Sequence, residues 1–262
     1  MDSEAPEGGT EEDLAEGTLL SHLVELRNRI LKAFAAVMII FVPLMFFNKK
    51  IFEIVSAPLR AALDTGQQMI ATNPISVVFT PFKLTFIVAL CLAMPFVLYQ
   101  VWAFVAPGLY KKEKRFAFPL LASSIVLFYA GVAFAYFVLF PLVFNFLVAF
   151  APDVIELMPD IAAYVSFVVT ISFVFGLAFE VPVATVLIVW TGITTPDKLA
   201  KARPYVFLAA FIVGMFLTPP DVFSQTLLAI PVYLLYELGL VMSRVFITNR
   251  REEEDEPVAA DS

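Results

Sequence analysis

Three acidic residues in this chain stand where a carboxylate needs a reason. Glu25 lies in an amphipathic helical lead. Leu19, Leu23, Leu26 and Ile30 fall on one stripe of that lead, and His22, Glu25, Arg29 and Lys32 on another. Two readings of Glu25 are open. It can pair with Arg29 one turn on, in the favoured acid-first orientation, or it can offer its carboxylate to a cationic ligand at an interface. Glu113 is set among four bases in Lys111-Lys112-Glu113-Lys114-Arg115. It is either an incidental acid in a solvated loop or a second carboxylate kept ionised by its neighbours. Two such groups could each accept a guanidinium fork. Glu180 interrupts the otherwise uncharged run Ile161–Thr195, just before Pro182. A carboxylate at membrane depth is costly and marks a water-filled cavity, an ion path or a polar contact with another helix.

The remaining polar residues are less specific. His22 is the only histidine, and hydrogen bonding or capping explains it more readily than proton relay. Asp221 lies beside Pro219 and Pro220, with Thr218 before it and Gln225 one turn on. An acid there can cap a helix, and such a cluster can also bind a partner helix. Glu237 is expected to pair with Arg244 or with lipid headgroups. Cys91 is the single cysteine, so a disulfide framework is excluded.

The elements that must position these groups are membrane helices. Of the 262 residues 60% are apolar and only 16% charged. The mean hydropathy of +0.87 is far above that of soluble domains. Uncharged runs at Ala33–Asn48, Leu84–Tyr110, Phe116–Pro152, Ile161–Thr195, Pro204–Pro220 and Val222–Tyr236 give six spans. The last two are short, and only Leu217–Asp221 separates them. The fold expected is an all-α polytopic bundle of six transmembrane helices with helices five and six short. Prolines at 43, 95, 119, 141, 182 and 231 suit kinked helices in a cupped, concave arrangement, and equally suit ordinary membrane-helix usage.

Charge sets the expected orientation. Residues 1–20 hold seven acids and no base, and residues 249–262 hold six acids against Arg250 and Arg251. The body between them is mildly basic. With six spans, thirteen Lys and Arg fall on the side of the termini and four on the other, Lys49, Lys50, Arg60 and Lys83. The positive-inside rule then places both termini in the cytoplasm. The first 17 residues and residues 249–262 read as acidic disordered tails around a membrane domain at 18–248. No cleavable signal peptide is expected, because the flank of the first apolar run is long and acidic. The motifs of zinc proteases, serine hydrolases and P-loop enzymes do not occur in the sequence. An enzyme is not expected, nor a cofactor, a metal or a nucleic-acid partner.

Several longer motifs carry a family resemblance. They are Ser21-His22-Leu23-Val24-Glu25-Leu26-Arg27-Asn28-Arg29, Val55–Leu59, Phe79–Leu84, Tyr99–Tyr110 with Glu113, Phe179-Glu180-Val181-Pro182, Arg203-Pro204-Tyr205 and Leu217–Gln225. In this order, over about residues 18–247, the chain resembles the TatC family, the receptor subunits of the twin-arginine protein translocase. The resemblance implies a binding and assembly protein that takes consecutive arginines of a signal peptide on a folded precursor. It implies that Glu25 and Glu113 receive the arginines, with Arg27, Phe104, Leu23 and His22 beside them. It places Glu180 on the concave face, Pro58 in an assembly region, and Met215, Thr218, Asp221 and Gln225 at the contact with single-span TatB or TatA subunits. Other copies of the same chain and the lipid bilayer are further implied partners, and the proton gradient the implied energy source. The residues alone leave one competitor, a proton-coupled small-solute transporter with Glu180 as proton carrier.

Overall fold

The computed structural model describes residues 11–63, 68–105, 114–150, 158–217 and 222–255. Among them the secondary structure is helical, apart from an isolated bridge between Ile70 and Asp160. The helices are α1 (Glu11–Leu44), α2 (Asn48–Val55), α3 (Ala57–Ala62), α4 (Pro74–Val105), α5 (Lys114–Phe134), α6 (Phe140–Phe150), α7 (Ile161–Ala178), α8 (Val181–Trp190), α9 (Pro196–Lys201), α10 (Arg203–Leu217) and α11 (Val222–Asp255). Five stretches are long and apolar enough to cross a membrane: Ser21–Ala62, Pro74–Phe104, Phe118–Phe150, Ile161–Trp190 and Gln225–Val245. Arg203–Phe216 is the shorter sixth apolar helix, in the place where a short fifth span was expected.

One pairing expected from the sequence changes. The apolar part of the last helix, Gln225–Val245, is the shortest of the five long spans, while α11 itself continues past Glu237, whose carboxylate meets Arg203 of α10. Glu237 therefore does not pair with Arg244, which instead lies 3.8 Å from Asp197. The helical backbone also overlaps both expected tails, starting at Glu11 and reaching Asp255. Acidic composition does not oppose this, since Glu is a good helix former and elongating an existing helix is easier than nucleating one.

The prolines act in two ways. Pro43, Pro81, Pro95, Pro119 and Pro231 are carried inside continuous helices. Pro141 and Pro182 alter theirs. Lacking an N–H, Pro141 cannot bond the Phe137 carbonyl, and the preceding turn, Ala135–Leu139, widens to a π-helix. Pro182 likewise leaves the Ala178 carbonyl without its helical donor, and the fourth span breaks between α7 and α8 at Phe179–Glu180. The break is what brings Glu180 to a helix end.

The helices pack as a chain of neighbours. α1 lies on α4, α4 on α5 and α7, α5 on α7, α8 on α11, and α11 on α10. α1 and α10, at the two ends, do not pack substantially on each other. The core is centred where α5–α7 cross, with Phe128, Phe140, Phe175, Leu139 and Ile171 essentially sealed. Gly131 permits that crossing, for a Cβ there would collide with the Phe175 carbonyl. Small residues allow close approach of membrane helices.

One end of the bundle is closed by its connections. Tyr136 and Tyr164 donate to the carbonyls of Ile54 and Val55, each at 2.7 Å, and so pin the end of α2. Leu59 on α3 is buried in the core beside them. Asp160 caps α7, accepting from the N–H groups of Ala162 and Ala163 at 2.9 and 3.0 Å. Its other oxygen accepts from the Thr72 N–H at 2.9 Å and the Thr72 hydroxyl at 2.7 Å. These four donors lower its pKa to about 2.

Candidate functional site

The opposite end holds the candidate site, between the start of the α1 apolar span and the end of α4. At about 100° per residue, His22, Glu25 and Arg29 lie within roughly 60° of one another on α1. Gln100 and Phe104, four apart, form the facing stripe of α4. The two stripes meet. His22 stacks on Phe104 with ring centroids 4.3 Å apart and planes 25° from parallel. Arg29 donates to Glu25 Oε1 through Nε at 2.9 Å and Nη2 at 2.5 Å. Its Nη1 reaches Gln100 Oε1 at 3.4 Å, and Gln100 is buried.

Both guanidinium contacts fall on one carboxylate oxygen, leaving Oε2 outside the pair. The Glu25 side chain is 37% exposed and that of Arg29 22%. An i,i+4 pair of this exposure is worth about 0.3–0.5 kcal/mol. The site thus contains a carboxylate already in contact with a guanidinium, beside a stacked ring pair, and held by a weak local partner. A second guanidinium could replace the first at small cost.

Of the residues named from the sequence, the structure brings His22, Glu25 and Phe104 together. Leu23 and Arg27 are exposed and lie on another face of α1, about 160–200° from Glu25. Glu113 lies outside the described residues, as do Thr218 and Asp221. Gln100, which closes the site from α4, gave no signal beyond a polar residue in an apolar run.

Glu180 occupies a second polar site, within the bundle. Trp102 Nε1 donates to the Ser124 hydroxyl at 3.3 Å, and that hydroxyl neighbours the Glu180 carboxylate. Glu180 Oε1 is buried with no protein partner. An unsatisfied buried oxygen is costly in a purely structural residue. Ser124 and Trp102 were not anticipated from the sequence, because neither carries charge.

The two assembly regions differ in character. Gln225 donates from Nε2 to the Phe211 carbonyl at 2.7 Å and packs over Gly214, so it ties α11 to α10. Met215 on the same hairpin is exposed. Pro58 lies in α3, partly buried, between sealed Ser56 and Leu59. No cluster of three or more His, Cys, Asp or Glu suited to a metal ion occurs among the described residues.

Comparison with known proteins matches this architecture to one family. Residues 21–231 match the family of the Sec-independent protein translocase protein (TatC). The Sec-independent protein translocase protein TatC of Escherichia coli strain K12 is 56% identical over 237 residues, which is 90% of this chain and 92% of that one. The TatC protein of Azotobacter chroococcum mcd 1 is 54% identical over 243 residues, 93% of each chain. A crystal structure described as the twin-arginine translocase receptor TatC superimposes with a TM-score of 0.77 at 36% identity, covering 86% of this chain and 98% of the other. The chain is therefore a member of the TatC family of Sec-independent protein translocase proteins, multi-span components of the bacterial membrane.

Proposed function

We propose that this chain is the receptor of its translocase, and that Glu25 takes an arginine of a twin-arginine signal peptide by exchange with Arg29. The observation that carries this reading is the Glu25–Arg29 contact itself. It places a guanidinium on the carboxylate through two N–H groups, in a half-exposed cleft walled by His22 and Phe104. Planar guanidinium forks suit this geometry and a lysine ammonium does not, since it offers only a point charge. Glu113 is the second carboxylate in this proposal, with Arg27 and Leu23 meeting the peptide on the neighbouring face. Both termini, and hence this site, face the cytoplasm. Residues 18–248 form the membrane domain that does the work, without catalysing a reaction.

Glu180 serves a step after binding. Its unpartnered buried oxygen, beside Ser124 and Trp102, supports a polar contact with the peptide or with a partner helix once the signal has entered the groove. Met215, Thr218, Gln225 and Asp221 recruit single-span TatB- and TatA-type subunits, and Pro58 belongs to the surface through which copies of the chain assemble. The exposed Met215 supports the first contact. The solute-transporter alternative has no support beyond Glu180 itself.

The test is binding of the purified, detergent-solubilised chain to a signal peptide carrying Arg-Arg against the same peptide carrying Lys-Lys. Charge is equal in the two, so guanidinium geometry alone separates them. The expected outcome is a preference for Arg-Arg of about tenfold that is lost in Glu25→Ala. Equal binding of the two peptides would contradict the proposal.

A further inference from the structure

A groove at the end opposite Glu25 is not used by any step above. It lies between the C-terminal part of α1 and the N-terminal parts of α4 and α7, with a volume of about 620 Å³. Phe41, Phe79 and Phe86 supply apolar walls. Among the described residues Lys83 is the only charged one lining it, and no carboxylate does. The Lys83 ammonium donates to the Ser166 hydroxyl on α7 at 3.0 Å. An ammonium has three donors, and Ser166 accounts for one. Asn73, whose side-chain oxygen already accepts from the Ile75 N–H at 2.9 Å, adds amide donors to the same rim.

The depth of Lys83 is informative. From Leu84 to Val105 the helix is uncharged and, at about 1.5 Å per residue, covers roughly 33 Å. That matches the ~30 Å hydrocarbon thickness. A bilayer centred on this uncharged part of the Pro74–Phe104 span puts Lys83 at the level of the lipid phosphates, with Phe41 and Phe86 on its membrane side. A lysine at that level extends its ammonium to the headgroups while its stem lies on apolar surface. Charge and shape are thus complementary to one kind of occupant. It has an anionic head, no cation of its own, and an acyl chain to lie along Phe41 and Phe86.

We propose that this groove is a binding site for one anionic phospholipid, with Lys83 on its phosphodiester and an acyl chain along the phenylalanine wall. The bound lipid would fill the seam between α1 and α4–α7, and so steady the α1 arm from which Glu25 projects at the far end. The proposal needs only that the chain is embedded in a bilayer, and it stands apart from the assignment of the arginine site.

The test is native mass spectrometry of the full chain, with phosphatidylglycerol and phosphatidylcholine of identical acyl chains supplied in competition. The wild-type chain should retain about one phosphatidylglycerol with roughly fivefold preference over phosphatidylcholine. Lys83→Ala should retain both lipids equally, and Lys83→Arg should keep the preference. Ile75→Trp, which fills the exposed rim and leaves the charge in place, should reduce retention of both and serves where Lys83→Ala does not fold. Millimolar inorganic phosphate should not displace the lipid, since the acyl chain holds it too. Equal preference in wild type and Lys83→Ala overturns the proposal. So does displacement by inorganic phosphate, which would make this a simple anion site, or a lipid-free dimer, which would make the occupant a second copy.

Discussion

Two carboxylate–guanidinium pairs in this molecule share their chemistry and differ in what they can do. Glu25 and Arg29 are neighbours on one helix, and both contacts rest on a single oxygen. Glu237 and Arg203 come from α11 and α10. Arg203 Nη2 donates to Glu237 Oε2 at 2.8 Å, its Nε lies 2.7 Å from Oε1, and Tyr233 donates to Oε1 at 2.9 Å. Both oxygens of Glu237 are therefore engaged, and the contact joins two elements. Replacing Arg203 would remove one of the ties between α10 and α11, whereas replacing Arg29 leaves α1 intact. A weak, local and incompletely used pair is the one suited to exchange. An interhelical ion pair that engages both carboxylate oxygens is a fastening.

The comparison can be broken most directly by truncating each acid. Glu25→Ala should weaken Arg-Arg peptide binding by about tenfold or more, from the loss of charge-assisted hydrogen bonds worth about 1.5–3 kcal/mol. Glu237→Ala should leave affinity within about twofold, measured by the same titration. A large loss in Glu237→Ala would remove the distinction between the pairs. Removing the resident guanidinium sharpens it. Arg29→Ala should raise Arg-Arg affinity by about twofold, because the i,i+4 pair no longer competes. A fall in affinity would mean that Arg29 helps to hold the peptide and does not yield to it.

Stability should separate the pairs in the opposite sense. Arg203→Lys, which loses the fork and keeps the charge, should lower the melting temperature by about 2 °C, while Arg29→Lys leaves it unchanged within error. Asp160 provides a third, smaller contrast, a carboxylate whose partners are all neutral donors. Its pKa is held at about 2, below the ~3.9 of an unfolded aspartate. The carboxylate therefore contributes its full stabilisation above about pH 4 and loses it as the pH falls through 2. The stability deficit of Asp160→Asn against wild type should be constant from pH 8 to 5 and shrink below 4. A deficit that grows on acidification would contradict the cap and latch assigned to Asp160.

The sequence made the spans legible because each required a long uncharged run, and it made Glu180 legible because a lone acid stands out in such a run. It could not reveal what lay across helices. Glu237 looked free to meet Arg244 because Arg203 is 34 residues away. Gln100, Ser124 and Trp102 carry no charge and follow no local pattern, yet they close the two polar sites. His22 read as a lone interfacial histidine until α4 placed Phe104 on its face. Pro141 and Pro182 looked like Pro95 in the sequence. The difference came from position, since Pro141 and Pro182 fall where the chain departs from an α-helix and Pro95 does not. The four donors that converge on Asp160, two of them from Thr72, follow no local pattern either.

The central claim is that an incoming arginine contacts Glu25 in place of Arg29. A double-mutant cycle tests it most directly, with Arg→Lys in the signal peptide on one side and Glu25→Ala in the receptor on the other, read as peptide affinity. The account predicts a coupling of at least about 1 kcal/mol, a fivefold departure from independence. Strict additivity of the two changes would show that the peptide arginine and Glu25 do not meet, and would contradict it.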